Sequence, residues 1–164
     1  PETPVSIHWV LVADEAIARI LTPAANGALA AVEELANPDA HLREKDLDRD
    51  AAGRRLASAP QGVRAGSATR LPSSATSSAG ESERHLVAEA FARRVCRHLA
   101  QAMQRQRFDA LQIVAAPRFL GLLRKHLDAS TGALLTATLD RDLVHLRHEQ
   151  IAAHLRNATW SARP

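Results

Sequence analysis

Stepped at about 100° per residue, positions 84–108 separate into two sides of a helix. Val87, Ala88, Phe91, Ala92, Val95, Leu99, Ala102 and Met103 share one side, and Arg93, Arg94, Arg97, His98, Gln101 and Arg105 share the other. A helix this two-sided has to lay its apolar stripe on another layer, and the segments around it supply strands. Residues 6–13 (SIHWVLVA) and 16–22 (AIARILT) are rich in β-branched residues and are separated by Asp14-Glu15, which reads as a hairpin. Residues 28–35 (ALAAVEEL) favour helix by composition, but the Asn37-Pro38 stop leaves a length that suits a third strand. Beyond the long helix, 110–115 (ALQIVA) is a short buried strand, and Pro117 opens a helix that runs to residue 127. Residues 133–139 (ALLTATL) form another strand, and Ile151 and Leu155, one turn apart, mark a last helix over 147–156. A strand running into a helix and on to a further strand is a βαβ unit. The expected class is therefore α/β with a mixed sheet, in the order β-β-β-loop-α-β-α-β-α.

The 164 residues are read as a single α/β domain over 1–164. Ala supplies much of the 46% hydrophobic content and Tyr is absent, so the core is expected to be aliphatic. Residues 41–55 (HLREKDLDRDAAGRR) mix both charge signs without apolar period and read as a solvated connector. Residues 57–82 read as a flexible low-complexity loop, with too little to bury to offset the entropy of ordering. Cys96 is the only cysteine, which excludes an intrachain disulfide and points to a reducing, cytoplasmic compartment. No apolar run reaches the roughly 20 residues that span a bilayer, and the opening PETPVSIHW lacks the pattern of an export signal. A net charge of +3 permits an anionic partner without identifying it.

The stretches WVLVADEAIARILT, FARRVCRHLAQAMQRQRFDALQIVAAPRFLGLLRKHL and LDRDLVHL, in this order and spacing, resemble the bacterial host attachment protein family. That family in turn looks like the middle domain of archaeo-eukaryotic peptide chain release factors, so the resemblance implies a ribonuclease-H-like fold with a mixed sheet. In the release factors the long loop carries a Gly-Gly-Gln tripeptide that serves peptidyl-tRNA hydrolysis. The corresponding stretch here holds Gln61-Gly62 and then Gly66, so the resemblance does not bring that activity with it. The family name concerns attachment to host cells, a phenotype rather than a chemistry.

The leading functional candidate is the basic helix face. Arg93, Arg94, Arg97 and Arg105, joined by Arg54, Arg55, Arg64 and Arg70 from the flexible segment, form a stripe suited to a phosphate backbone. The expected function is non-catalytic binding of structured RNA, with tRNA or the ribosome as partner. With so few aromatic residues, such contacts would read backbone and shape rather than stacked bases. The alternative is a protein-protein interaction module in attachment, using a sheet edge or a helix, with Trp160 as an exposed anchor. A second alternative is a metal-dependent nuclease or hydrolase holding its ion on Asp14, which ends the first strand, and Asp140, which with Asp142 follows the last. Against it, Asp14-Glu15 is also what a tight turn requires. His145, His148 and His154 read as surface histidines without a zinc spacing, and Cys96 as core filling. No glycine motif for a nucleotide is present, so no cofactor is expected.

Overall fold

A computed structural model of the chain describes residues 5–40 and 74–162. Its centre is a six-stranded mixed sheet in the order β3-β2-β1-β4-β5-β6. Strands β1 (His8–Ala13), β2 (Ile17–Pro23) and β3 (Leu29–Ala36) form an antiparallel meander. On its other side β1 pairs in parallel with β4 (Ala110–Ala115), and β4 pairs in parallel with β5 (Leu135–Asp140). The two-residue β6 (Ser161–Ala162) closes that edge antiparallel to β5.

The alternation of side chains explains the layers. In β1, Trp9, Leu11 and Ala13 face one way, into a core with Ile20 of β2, Leu111 and Ile113 of β4, and two helices. These are α1 (Ser74–Gln104), which contributes Phe91, Val95 and Leu99, and α2 (Pro117–His126), which contributes Phe119 and Leu123. Val10 and Val12 face the other way, with Val114, Leu139 and Ile151 of α4 (His148–Arg156). Covered on both faces, β1 is buried from Trp9 to Ala13, and its sequence is accordingly an apolar run. Rings stack within the first core, Trp9 on Phe108 at 4.8 Å between centroids and Phe91 on Phe119 at 5.8 Å.

Three boundaries differ from the sequence expectations. Helix α1 starts at Ser74, so residues 74–82 of the stretch read as loop are helical, while the rest of that stretch lies outside the described residues. Its Ala, Ser and Glu residues permit helix without an apolar stripe to mark it. A short helix, α3 (Ala129–Leu134), precedes β5 and displaces the start of that strand to Leu135. The Asp128 carboxylate caps it, accepting the Thr131 N–H at 3.4 Å, an N-cap that a strand reading of this region overlooked. Helix α1 ends in paired backbone bonds, Gln106 N to Met103 O at 2.9 Å and Arg107 N to Ala102 O at 3.0 Å, with Gln106 at φ 55°. This is a Schellman turn with glutamine in the left-handed position that glycine usually takes.

Leu99 is fully buried in the first core and Leu86, on the same helix, is 65% exposed. Leu99→Ala should lower unfolding free energy in urea by about 3 kcal/mol, through lost burial and a residual cavity. Leu86→Ala should change it by less than about 0.5 kcal/mol. Equal effects would mean that α1 is not seated on the sheet as described.

Candidate functional site

The strands β1, β4 and β5 point their carboxyl ends to the same side of the molecule, and the chain turns there from strand into loop or helix. At the first turn the Asp14 Oδ1 atom accepts the N–H groups of Ala16 and Ile17, each at 2.8 Å. The Asp14 N–H bonds Ile17 O at 2.9 Å, so the turn role read from the sequence is present. Asn37, which is buried, bonds this turn from outside through its side-chain amide to Glu15 O at 2.9 Å and its N–H to Ala16 O at 2.7 Å.

The turn uses one Asp14 oxygen and leaves the other free to face the loop after β5. There the Oδ2 atom lies 3.1 Å from His145 Nε2. One donor atom each from Asp14, Asp142 and His145 lie within 4.8 Å of one another. The sequence had paired Asp14 with Asp140; the structure pairs it with Asp142 instead. Asp140 is the exposed last residue of β5 and stands outside the cluster, because pairing register fixes its direction while the loop beyond it is free to bend back. Arg19 of β2 holds that loop, donating from Nη1 to Val144 O at 2.7 Å and Leu146 O at 2.8 Å. His145 is a surface histidine, as expected, with its side chain 71% exposed, and His148 begins α4.

Asp14 and Asp142 border a cleft of about 570 Å³. The β1–β2 turn gives it Asp14, Glu15 and Ala16, the β4–α2 junction gives Ala116, Arg118 and Phe119, and the loop after β5 gives Asp142. Arg84, Val87 and Ala88 of α1 close one wall, with Asp39 and Ala40 beyond β3. Arg118 leans on Glu15 at 3.7 Å, whereas Arg84 is exposed and has no ion-pair partner among the described residues.

The basic face of α1 is less free than its sequence suggests. Glu89, nearly buried, collects Lys125 Nζ at 2.7 Å and His126 Nε2 at 2.8 Å from α2, and Arg93 at 3.6 Å and His85 at 3.9 Å from its own helix. Hydrogen bonds from Lys125 first and His126 second hold its carboxyl down to about 2, against the opposing effect of burial. Glu33 of β3 pairs with His98, and with Arg107 at 2.8 Å. Burial opposes its ionisation, but the hydrogen bonds from Arg107 and His98 outweigh that and leave its pKa below the usual value. Arg94 donates to Ala36 O and lies over the Phe91 ring at 5.2 Å; Arg107 lies over Trp9 at 5.0 Å.

Arg93 and Arg94 of the expected stripe are exposed but each has a partner within the protein, Glu89 at 3.6 Å and the end of β3. Arg97 and Arg105 remain exposed, and have no ion-pair partner among the described residues. Arg54, Arg55, Arg64 and Arg70 lie outside the described residues. Trp160 is not a free anchor: it packs against the second core and donates its indole N–H to Leu155 O at 3.3 Å. Cys96 is buried core, its thiol raised to about 12 chiefly by desolvation.

Among the described residues no helix is long and apolar enough to cross a membrane. A family model described as "Protein required for attachment to host cells" matches residues 9–155, and the chain belongs to that family. A comparison with the curated proteins finds no match.

The Glu89 cluster carries a pH signature. Its folded pKa of about 2 lies below the ordinary 4.5, so the stabilisation is complete above about pH 4.5 and is lost as pH falls toward 2. Denaturation at a series of pH values should show Glu89→Gln less stable than wild type at neutral pH, with the gap closing across that window. A gap that does not vary with pH would remove this role from Glu89.

Proposed function

We propose that this member of the host attachment family works in attachment as a ligand-binding protein whose ligand sits at the carboxyl ends of β1, β4 and β5. One observation carries the reading: a cleft of about 570 Å³ gathers the ends of the β1–β2 turn, the β4–α2 junction and the loop after β5. Open α/β sheets take their ligands at this edge, where loops can vary while the strands stay fixed. Arg84 and Arg118 face the carboxylates of Asp14, Glu15, Asp39 and Asp142 around an apolar floor of Val87, Ala88 and Phe119, which suits a ligand that carries both signs of charge on an apolar body. The six-stranded mixed sheet fits the ribonuclease-H-like, release-factor-like fold that the sequence resemblance implies, and supports reading the cleft as the working end.

Binding of structured RNA, tRNA or the ribosome along α1 draws less support from the geometry. Arg93 and Arg94 would have to share their existing protein contacts with a phosphate, which lowers the gain from each, while Arg97 and Arg105 have no ion-pair partner among the described residues.

Arg84 and the pair Arg97 and Arg105 separate the two readings, since all three side chains are exposed and their replacement should leave the melting temperature unchanged. In the organism that carries the chain, Arg84→Glu should lower attachment to host cells about tenfold, the scale of one lost charge-assisted contact. Arg97→Glu combined with Arg105→Glu should leave attachment at the wild-type level. The reverse pattern, with co-sedimentation on ribosomes or tRNA that weakens steeply with salt, would return the function to the helix face.

A further inference from the structure

We infer that Asp14, Asp142 and His145 form a binding site for a first-row divalent cation of the Mn²⁺ or Zn²⁺ type at the rim of the cleft. The inference deepens the cleft reading by assigning the cleft an inorganic component, and it is tested without reference to attachment. Its basis is the convergence of three donor atoms, two carboxylate and one imidazole, within 4.8 Å from two loops far apart in sequence. The closest pair, Asp14 Oδ2 and His145 Nε2, is 3.1 Å apart. Two donors about 2.1 Å from one ion, at angles between octahedral and tetrahedral, are themselves about 3.0–3.4 Å apart, so this pair already has the spacing of neighbouring ligands. Asp142 is exposed, and one of its carboxylate oxygens lies within 4.8 Å of the donor atoms of the other two.

Electrostatics favours the same conclusion. Folding brings the Asp142 carboxylate beside Asp14, whose side chain is only 18% exposed. A divalent cation would offset the two carboxylate charges fully. The first ligand is preorganised, because Asp14 Oδ1 is fixed by two backbone N–H groups while Oδ2 is left to coordinate. The loop with the other two is tied to β2 by the Arg19 guanidinium. An imidazole in the set selects against Mg²⁺ and Ca²⁺, which prefer oxygen alone, and toward Mn²⁺ or Zn²⁺. Three protein ligands leave coordination positions open, and Asp14 and Asp142 both line the cleft that Arg84 also borders.

The test is titration of the full chain with Zn²⁺ and with Mn²⁺, followed by calorimetry and, for Mn²⁺, by paramagnetic broadening of amide resonances. One saturable site is expected, with broadening centred on Asp14, Asp142 and His145. Asp142→Asn and His145→Ala should each weaken binding at least about tenfold at unchanged melting temperature, since both side chains are exposed. Excess Mg²⁺ should not displace the ion. Absence of saturable binding, or binding that survives both substitutions, would overturn the site and leave a hydrogen-bonded His145–Asp14 pair, with the ligand role of the cleft still standing. Saturable binding combined with an Arg84→Glu variant that attaches normally would keep the cation site and sink the attachment role of the cleft.

Discussion

Because β1 is covered on both faces, by α1 and α2 on one side and by α4 on the other, it cannot shift register without exposing one core or the other to water. It is also the strand at which the sheet changes from antiparallel to parallel pairing, with β2 on one flank and β4 on the other. The strand-end groups of the cleft take their position from this strand. Asp14 is the residue after its last buried position, the β4–α2 junction is its parallel neighbour, and the loop after β5 lies one strand further on. A site assembled from the ends of strands held so firmly can have mobile or exposed side chains and still present them in a fixed arrangement.

Charge on the helical face is decided by the layer beneath it as well as by the face itself. Glu33 stands on the third strand and Glu89 at the edge of the buried stripe of α1, and each draws in basic groups from two elements. The Schellman turn after Gln104 adds to this by reversing the chain so that Arg107 lies on Trp9 and reaches Glu33. These pairs fasten α1 to the edge of the sheet and to α2, alongside the packing of Phe91, Val95 and Leu99 in the first core. They also occupy part of the basic face, at Arg93, Arg94 and Arg107.

Most of the strand and helix order was legible because it rests on periodicity and breakers, whereas the short α3 and the two-residue β6 carry too little of either to be read. The apolar stripe from Ala88 to Ala102 is buried as its spacing requires, and the hairpin at Asp14-Glu15 stands where its turn residues put it. The pairing of Glu89 with Arg93, one helical turn apart, was also within reach of the sequence. The pairing of Glu33 with His98 and Arg107 was not, since it joins an edge strand to a helix across the sheet and no local pattern encodes it. The same limit explains Asp140 and Asp142. Both follow the last parallel strand, and only the path of the loop, set by Arg19 through two backbone carbonyls, decides which of them turns back toward Asp14.

Arg19, whose side chain is only 17% exposed, therefore connects the fold to the site. It sits on the face of β2 that packs toward α4, and its guanidinium satisfies carbonyls that the loop could not otherwise satisfy inside the molecule. Those two bonds fix the backbone on both sides of His145, so that a histidine largely exposed to solvent is nevertheless held opposite Asp14. The carboxylate it meets is fixed in turn by the hairpin whose second strand carries Arg19. Turn, strand and loop thus close a circuit of hydrogen bonds around the rim of the cleft, and the donor atoms gathered there are placed by backbone geometry more than by their own side-chain packing.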